Sequence, residues 1–296
     1  MLENLVFYNH WQNGDIHLSR QLVRYVMSIV PAKNYIYCHK NSARLLQDIP
    51  NLLIDPTGLK YLDNDSQMVF NKHKMTVCLN TWYGTSPIFS GTESCTLNTL
   101  HASFKDMLKK IFGFEMTLPV TDFLPQVDYS HFHLETINQY LKHEDRPKIL
   151  VSNGPVTSGQ ADNFSFDSVI DKISDDHPDK VFLVTNNTDR IIEKENVQYT
   201  REIIRLNDND LNENGYLSHF CDVIIGRSSG AYIYSMTREN LLSDKKYVCF
   251  CDDKAIAEWV HPNSSINSDV TWSNSRDVKV VSSIIEEVLE KEYDKA

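Results

Sequence analysis

Residues 222–230 read Asp-Val-Ile-Ile-Gly-Arg-Ser-Ser-Gly, an apolar strand that runs directly into a turn of glycines and serines, ahead of a helix-compatible stretch at 231–237. Ligands of open α/β sheets bind in such turns, at the carboxyl ends of the strands. Backbone N–H groups, serine hydroxyls and the positive end of a helix can together bind an anion. The turn therefore predicts a diphosphate site. Its candidate residues are Arg227, Ser228, Ser229 and Gly230.

Two structural interpretations of this turn stay open. Gly226 and Gly230 can shape a tight strand-to-helix connection, with Ser229 capping the helix, as happens in many folds. The arginine between them can form a salt bridge to Asp222 or Glu239 rather than bind a ligand.

The same order of strand, polar turn and helix recurs along the whole chain. The expected strands are residues 2–8, 34–38, 51–55 and 75–80, followed by 148–152, 180–185, 201–206, 222–225 and 248–250. The expected helices are residues 16–30, 42–47 and 96–112, followed by 134–141, 165–173, 212–219, 231–237 and 278–290. Strands that alternate with helices require parallel sheets covered on both faces. The sequence therefore predicts an α/β protein with two halves of the same kind.

The boundary between the halves is expected where this alternation stops. Residues 118–125 contain two prolines and show no clear period, which is typical of a connection. We therefore predict one domain of residues 1–124 and a second of residues 125–296. The chain of 296 residues is long enough for two such domains, since an ordinary domain has about 150 residues.

Composition excludes several functional classes. The chain has 29 Lys and Arg against 40 Asp and Glu, and the resulting net charge of −11 argues against nucleic acid as a partner, because binding phosphate backbones needs clustered excess cation. It is 41% hydrophobic, which excludes a disordered chain. No secretion signal and no apolar run of about 20 residues is visible. We therefore expect a cytoplasmic protein without an integral membrane segment, and we expect its six scattered cysteines to be reduced.

Two other polar turns follow predicted strands. The first, Asn13-Gly14-Asp15, opens a helix, where the macrodipole favours an ionised carboxylate by about 0.3–1 kcal/mol. Asp15 is therefore suited to accept a proton from a hydroxyl nucleophile, although capping the helix explains the same residue. The second turn and the end of the next strand add further candidates for binding base, ribose or phosphate, each of which is also an ordinary turn residue. They are Asn153, Gly154, Ser158, Gln160 and Asn186.

No metal and no cofactor are predicted. Asp63-Asn64-Asp65 and Asp208-Asn209-Asp210 each place two carboxylates two residues apart, which is a spacing that can hold a divalent ion. Both lie in polar, loop-like runs, and solvated loop acids are the favoured interpretation.

Two stretches resemble a known family. The first stretch resembles the opening of heptosyltransferase-like inverting glycosyltransferases. It consists of the N-terminal strand, the turn Asn13-Gly14-Asp15, and the helix that contains Ser19-Arg20 and stops at Pro31. The second stretch, residues 218–230, is similar to the segment that meets the donor's diphosphate in these enzymes. Their GT-B fold has two Rossmann-like domains with parallel sheets, facing across a cleft. This chain departs from the family at residues 228–232, where Ser-Ser-Gly-Ala-Tyr replaces an acidic residue and a glycine ahead of a histidine.

The resemblance implies an inverting, metal-independent transfer of a hexosyl- or heptosyl-type sugar. Asp15 takes the position of the family's proposed base, with Asn13 and Gly14 in the same turn. Residues 1–124 would form the acceptor side and residues 125–296 would bind the nucleotide-diphosphate sugar. The acceptor would be a glycan or glycolipid of polysaccharide biosynthesis. Charge on the departing diphosphate would be neutralised by backbone N–H groups and by Arg20, Arg227, Ser228 and Ser229.

Two other functions remain open from the sequence. One is an epimerase or hydrolase of the same sugar nucleotides. The other is a two-lobed protein that binds a small ligand without chemistry, because a fold alone does not define an activity.

Overall fold

The computed structural model describes residues 1–63, 66, 68–82, 96–157, 159, 161–227, 229–251 and 268–290, with the backbone alone for residues 96–100. The chain divides into two compact units, with the boundary after His131. The predicted boundary at residue 124 lies slightly earlier, within the first unit, and the assignment of a separate role to each domain stays a prediction. No helix among the described residues is long and apolar enough to cross a bilayer.

The first unit contains a five-stranded, mainly parallel sheet with the strand order β3-β2-β1-β5-β4. Its strands are β1 (Leu2–Tyr8), β2 (Ala32–Cys38), β3 (Leu52–Ile54), β4 (Met68–Asn71) and β5 (Thr76–Asn80). Its α-helices are α1 (Asn13–Leu18), α2 (Arg20–Ile29) and α3 (Thr96–Phe112). Short 3-10 turns lie at Ala43–Leu46, Gly58–Tyr61, Val120–Phe123 and Tyr129–His131. The central strand β1 pairs in parallel with β2 and β5, and only β4 runs antiparallel.

The second unit contains a six-stranded parallel sheet with the order β11-β10-β9-β6-β7-β8. Its strands are β6 (Lys148–Ser152), β7 (Val181–Val184), β8 (Val197–Tyr199), β9 (Val223–Arg227), β10 (Lys246–Phe250) and β11 (Asp269–Ser273). Its helices are α4 (Glu135–Leu141), α5 (Asp167–Asp176), α6 (Thr200–Ile204), α7 (Leu211–Ser218), α8 (Gly230–Tyr234), α9 (Arg238–Leu241) and α10 (Val278–Glu290). Numbered along this unit, the strand order is 3-2-1-4-5-6 read from β8, which is the Rossmann order.

The core of the second unit lies between the sheet and the helices α5 and α10. The strands are nearly continuous apolar runs, as expected for a parallel sheet buried on both faces. Val151 and Ile225 from neighbouring strands pack with Ile173 of α5 and Ile285 of α10, all 0–1% exposed. The predicted fold class, an α/β protein with two Rossmann-like parallel-sheet domains, is confirmed by this topology.

Some predicted element boundaries are wrong. Residues 201–206, predicted as a strand, lie largely in the helix α6, because the apolar pair Ile203-Ile204 fits a short helix as well as a strand. Residues 42–47 form only a 3-10 turn, and β4, β8 and β11 were missed. The strand β9 continues through Gly226 and Arg227, which were assigned to the turn.

Gly226 is a glycine because β6 passes close to its α-carbon. A Cβ added at this position would lie 2.6 Å from the carbonyl oxygen of Ser152, a backbone atom that has no room to move aside. Ser152 and Gly226 are paired in the register of β6 and β9. The close approach of two strands therefore accounts for this glycine.

Candidate active site

Asp15 lies in the first turn of α1, just beyond the carboxyl end of β1. Its Oδ2 accepts a hydrogen bond of 2.9 Å from the backbone N–H of Gln12, which is the residue that caps the helix. The carboxylate thus satisfies one of the free N–H groups at the helix start. The helix-end role considered for Asp15 is present, although the capping residue is Gln12.

Burial raises the pKa of the Asp15 carboxyl to about 6. Hydrogen bonds from the backbone of Gln12 and of Asp15 itself oppose this shift, and so does the charge of Lys40. The helix end was expected to favour the ionised form, but here desolvation outweighs it. At pH 7 the carboxylate is still mostly ionised, and a pKa this close to neutrality suits a group that accepts a proton.

Polar residues beyond β2 lie at the same edge of the sheet. His39 is fully buried, and its Nδ1 accepts a hydrogen bond of 3.2 Å from the N–H of Asn41. Burial lowers the pKa of His39 to about 4, so the ring is neutral and carries its hydrogen on Nε2. Nε2 of His39, Nδ2 of Asn41 and Oδ1 of Asn13 have no hydrogen-bond partner among the described residues. His39 and Asn41 are not among the residues predicted from the sequence, and only their place after a strand could have indicated them.

Arg20 lies inside the first unit. Its side chain is fully buried and forms an ion pair with Asp48, while further N–H groups donate to the carbonyl of Leu45 and, at 3.2 Å, to Nδ1 of His17. Asp48 also pairs with Arg24. Through these contacts Arg20 stabilises the interior of the first unit. Its role in neutralising a diphosphate stays a prediction, which the contacts of its side chain do not support.

Predicted site residues gather at one place in the second unit. The strands β6 and β9 are neighbours in the sheet. The strands that follow β6 in sequence lie on one side of this pair, and those that follow β9 lie on the other. The crevice between β6 and β9 is therefore the topological switch point, where α/β sheets bind ligands. Asn153 and Gly154 follow β6, Asn186 lies just beyond β7, and Ser229 and Gly230 follow β9.

These residues contact one another. The side-chain Oδ1 of Asn153 accepts from the N–H of Asn186 at 2.8 Å, and its Nδ2 donates to the carbonyl of Asn186 at 3.0 Å. A Cβ on Gly154 would lie 2.9 Å from Oδ1 of Asn186 and 3.7 Å from Oγ of Ser229. The backbone at Gly154 is therefore approached closely from two sides, and a side chain there would displace its neighbours.

Arg227, the last residue of β9, is only 4% exposed. Its Nε and Nη2 donate to the carbonyl of Gly154 at 3.1 and 3.0 Å, and further N–H groups donate to the carbonyls of Asn153 and Phe164. The guanidinium also lies over the rings of Phe164 and Phe166, 5.4 and 5.0 Å from their centroids. The alternative of a salt bridge from Arg227 to Asp222 or Glu239 is wrong, because carbonyl oxygens accept these hydrogen bonds and neither carboxylate pairs with the guanidinium.

Ser229 occupies the capping position of α8, but its hydroxyl does not cap the helix. The hydroxyl donates to the carbonyl of Gly154 at 3.3 Å, so the side chain links the ends of β6 and β9. Three other candidates, Ser158, Gln160 and Ser228, lie outside the described residues, and their roles stay predictions.

No cluster of three or more potential metal ligands occurs in the described part of the chain. Asp208 is exposed in the loop ahead of α7 and Asp210 is the N-cap residue of that helix, while Asp65 is outside the described residues. The five described cysteines are buried, and none of them forms a disulfide with another described residue.

The chain has two Rossmann-like units, and polar residues gather at the switch point of the second. Two such units in one chain are the α/β architecture of the GT-B enzymes. Solved structures of that fold match the chain over nearly its full length. E. coli heptosyltransferase WaaC with ADP matches at a TM-score of 0.51 and 10% identity over 97% of this chain and 98% of that one. The same enzyme with ADP-2-deoxy-2-fluoro heptose matches at a TM-score of 0.53 and 10% identity, covering 98% and 99%.

The S. aureus protein MnaA with UDP also matches, at a TM-score of 0.53 and 9% identity, over 99% of this chain and 89% of that one. No protein-family model and no curated protein matches the chain in sequence. At these identities the similarity is one of fold, and the chain shares the fold of GT-B glycosyltransferases.

Proposed function

We propose that this protein is a GT-B glycosyltransferase that moves a sugar from a nucleotide-diphosphate sugar to a hydroxyl acceptor. The observation that carries the proposal is the contact set of Asn153, Gly154, Asn186 and Ser229 at the switch point of the second unit. Structures with this fold hold ADP, an ADP-sugar analogue or UDP, which supports a nucleotide as the ligand here.

In the proposed reaction the acceptor hydroxyl attacks the anomeric carbon as the bond to the diphosphate oxygen breaks. Asp15 takes the hydroxyl proton, and the nucleoside diphosphate leaves with the electron pair of the broken bond. A single displacement inverts the anomeric configuration. Amide N–H groups and hydroxyls near Ser229 and Gly230, with Ser158, Gln160 and Ser228 as further candidates, would stabilise the departing charge.

The finer assignments belong to the same proposal. The donor is a hexosyl- or heptosyl-type nucleotide sugar, the acceptor is a glycan or glycolipid, and the transfer needs no metal and takes place in the cytoplasm. On the acceptor side, Asn13 and Gly14 directly precede the base in the first turn of α1.

An epimerase or hydrolase of the same sugar nucleotides is the second candidate. The matches to WaaC with ADP-2-deoxy-2-fluoro heptose and to MnaA with UDP have the same TM-score, and a shared fold does not define the reaction, so this alternative is retained. Product analysis separates the two functions, because only a transferase attaches the sugar to a second substrate. A binding protein without chemistry would convert the nucleotide sugar into no product at all.

The test begins with a thermal-shift panel of nucleoside diphosphates and their sugars, including ADP and UDP. A ligand present at 100 times its Kd adds about 2.7 kcal/mol to the free energy of unfolding. A donor found in this way is then incubated with candidate glycan acceptors, using Asp15→Ala as the variant. We expect Asp15→Ala to bind the nucleoside diphosphate normally and to lose turnover, whereas a protein stabilised by no nucleotide would refute the proposal.

A further inference from the structure

Arg227 is a buried positive charge whose partners among the described residues are uncharged. Its N–H groups donate to the carbonyls of Asn153, Gly154 and Phe164, and two aromatic rings cover it. Burial lowers the pKa of its guanidinium, with no carboxylate among the described residues acting to raise it. An arginine nevertheless stays protonated at neutral pH. The second unit therefore contains a cation without a described counter-charge.

Arg20, the other buried arginine among the described residues, has a charged partner. Arg20 is 0% exposed and forms an ion pair with the equally buried Asp48. This is the usual arrangement, because moving a charge out of water is strongly unfavourable unless an opposite charge compensates it. Among the described residues, a buried guanidinium that forms its hydrogen bonds with carbonyls and pairs with no carboxylate is thus an exception.

The exception lies at the edge of the sheet where the ligand is proposed to bind. Arg227 ends β9, and its guanidinium shares the carbonyl oxygen of Gly154 with the hydroxyl of Ser229. Because its donors bond to backbone carbonyls, the side chain is held in place and is not aimed at a ligand. Its charge still acts over several ångströms, since interactions between charges are weakly screened in partly buried surroundings.

We propose that Arg227 is a positioning residue of the donor site, which supplies the positive charge that attracts the diphosphate and fixes the segment Asn153-Gly154 without touching the ligand. This inference rests on the proposed function for the identity of the natural ligand. The charge itself can be tested with inorganic pyrophosphate, which carries the anionic group and no sugar or base.

The experiment compares the wild-type protein with Arg227→Gln and Arg227→Lys. Glutamine keeps an N–H donor for the carbonyls but removes the charge, while lysine keeps the charge and loses the forked geometry. Titration calorimetry measures the Kd for pyrophosphate, for ADP and UDP, and for adenosine and uridine. Arg146→Gln is the control, because it makes the same change in net charge at a partly exposed ion pair with Glu144.

We expect Arg227→Gln to weaken pyrophosphate and nucleoside diphosphates by about 10- to 100-fold, the effect of one charge acting across several ångströms. The uncharged nucleosides should change by less than about 3-fold in the same variant, because they do not interact with that charge. Arg227→Lys should stay within about 5-fold of the wild type for all ligands, because the charge is retained. Arg146→Gln should bind every ligand like the wild type.

Three results would overturn the inference. They are unchanged pyrophosphate binding in Arg227→Gln, equal losses for nucleosides and diphosphates, and a wild type that binds neither pyrophosphate nor a nucleoside diphosphate. If Arg227→Gln does not fold, Arg227→Lys decides, since a loss of pyrophosphate affinity above about 30-fold would show that the charge alone is insufficient. Pyrophosphate binding that depends on Arg227 in a protein without nucleotide-sugar turnover would remove the proposed function and leave this inference in place.

Discussion

The side chain of Asn153 bonds to both backbone groups of Asn186, through Oδ1 to the N–H at 2.8 Å and through Nδ2 to the carbonyl at 3.0 Å. This pair ties the end of β6 to the chain beyond β7, at the centre of the candidate donor site. A primary amide can both accept and donate, whereas a carboxylate accepts only and an aliphatic side chain does neither.

Asn153→Asp should therefore impair both stability and binding. The carboxylate would face the carbonyl of Asn186 and add a negative charge beside the proposed diphosphate. We expect a loss of about 1–3 kcal/mol in the free energy of unfolding by urea, from the group left without a partner. We also expect a nucleoside diphosphate affinity at least about 10-fold weaker by calorimetry. Asn187→Asp is the control, and an equal effect there would mean that net charge alone is responsible.

Strand positions in this chain could be predicted because apolar runs alternate with polar turns. The strand at residues 2–8 and the helix at 96–112 were predicted with the bounds that the structure shows, and Gly113, with φ +70°, ends that helix. The strand β4 was missed because its residues are mostly exposed and lack the apolar run of a buried strand.

The candidate site could be predicted only in part. Its residues were found because they follow strands, and parallel strands bring their carboxyl ends to one edge. The partners of Arg227 could not be predicted, since carbonyls of Asn153, Gly154 and Phe164 are far away in sequence and backbone groups leave no pattern. From the sequence, Arg227 was therefore expected to meet a ligand phosphate or, as the alternative, the carboxylate of Asp222 or Glu239.

Asp15→Asn should separate catalysis from stability. The raised pKa, about 6 in the folded protein, means that folding favours the protonated carboxyl. The stabilisation from this group is complete below the unfolded pKa near 4 and is lost as the pH rises through about 6. Asn keeps an oxygen for the N–H of Gln12 and cannot ionise, so Asp15→Asn should have the higher Tm at pH 8 and a similar Tm at pH 4.

As the pH rises through about 6, the activity of the wild type should increase while the stabilisation from Asp15 is lost. As the proposed base, Asp15 must be ionised, so wild-type kcat/KM should fall as the pH drops below about 6, and Asp15→Asn should lose at least about 100-fold in kcat. Rate profiles and thermal scans from pH 4 to 8 on both proteins make the measurement. Full turnover by Asp15→Asn would assign the residue to helix capping alone.

Gly226→Ala should destabilise the second unit without a change in charge. The new methyl group would lie 2.6 Å from the carbonyl oxygen and 2.8 Å from Cβ of Ser152, so β6 and β9 would have to separate. We expect a loss of about 1–3 kcal/mol in urea unfolding, as for other overpacked sites. Gly230→Ala is the matched control, because the described atoms nearest to its methyl group belong to the flexible end of Leu211, at 3.2 Å or more. Equal losses in both variants would contradict this explanation of Gly226.

Asp48→Ala should lower the free energy of unfolding, because it removes the carboxylate that pairs with Arg20 and Arg24. The carboxylate of Asp48 is fully buried, pairs with Arg20 and Arg24, and accepts from the N–H of Asp128 at 3.3 Å. Its loss leaves the buried guanidinium of Arg20 without a counter-charge, which typically costs about 3–5 kcal/mol. Urea unfolding makes the measurement, with Asp106→Ala as the control at an exposed ion pair, where no change is expected. Because this cluster lies in the first unit, Asp48→Ala should leave the Kd for pyrophosphate unchanged in protein that is still folded. A stable Asp48→Ala variant would show that water compensates Arg20, and the same calorimetric titration would then reveal whether the freed guanidinium has become a ligand for anions.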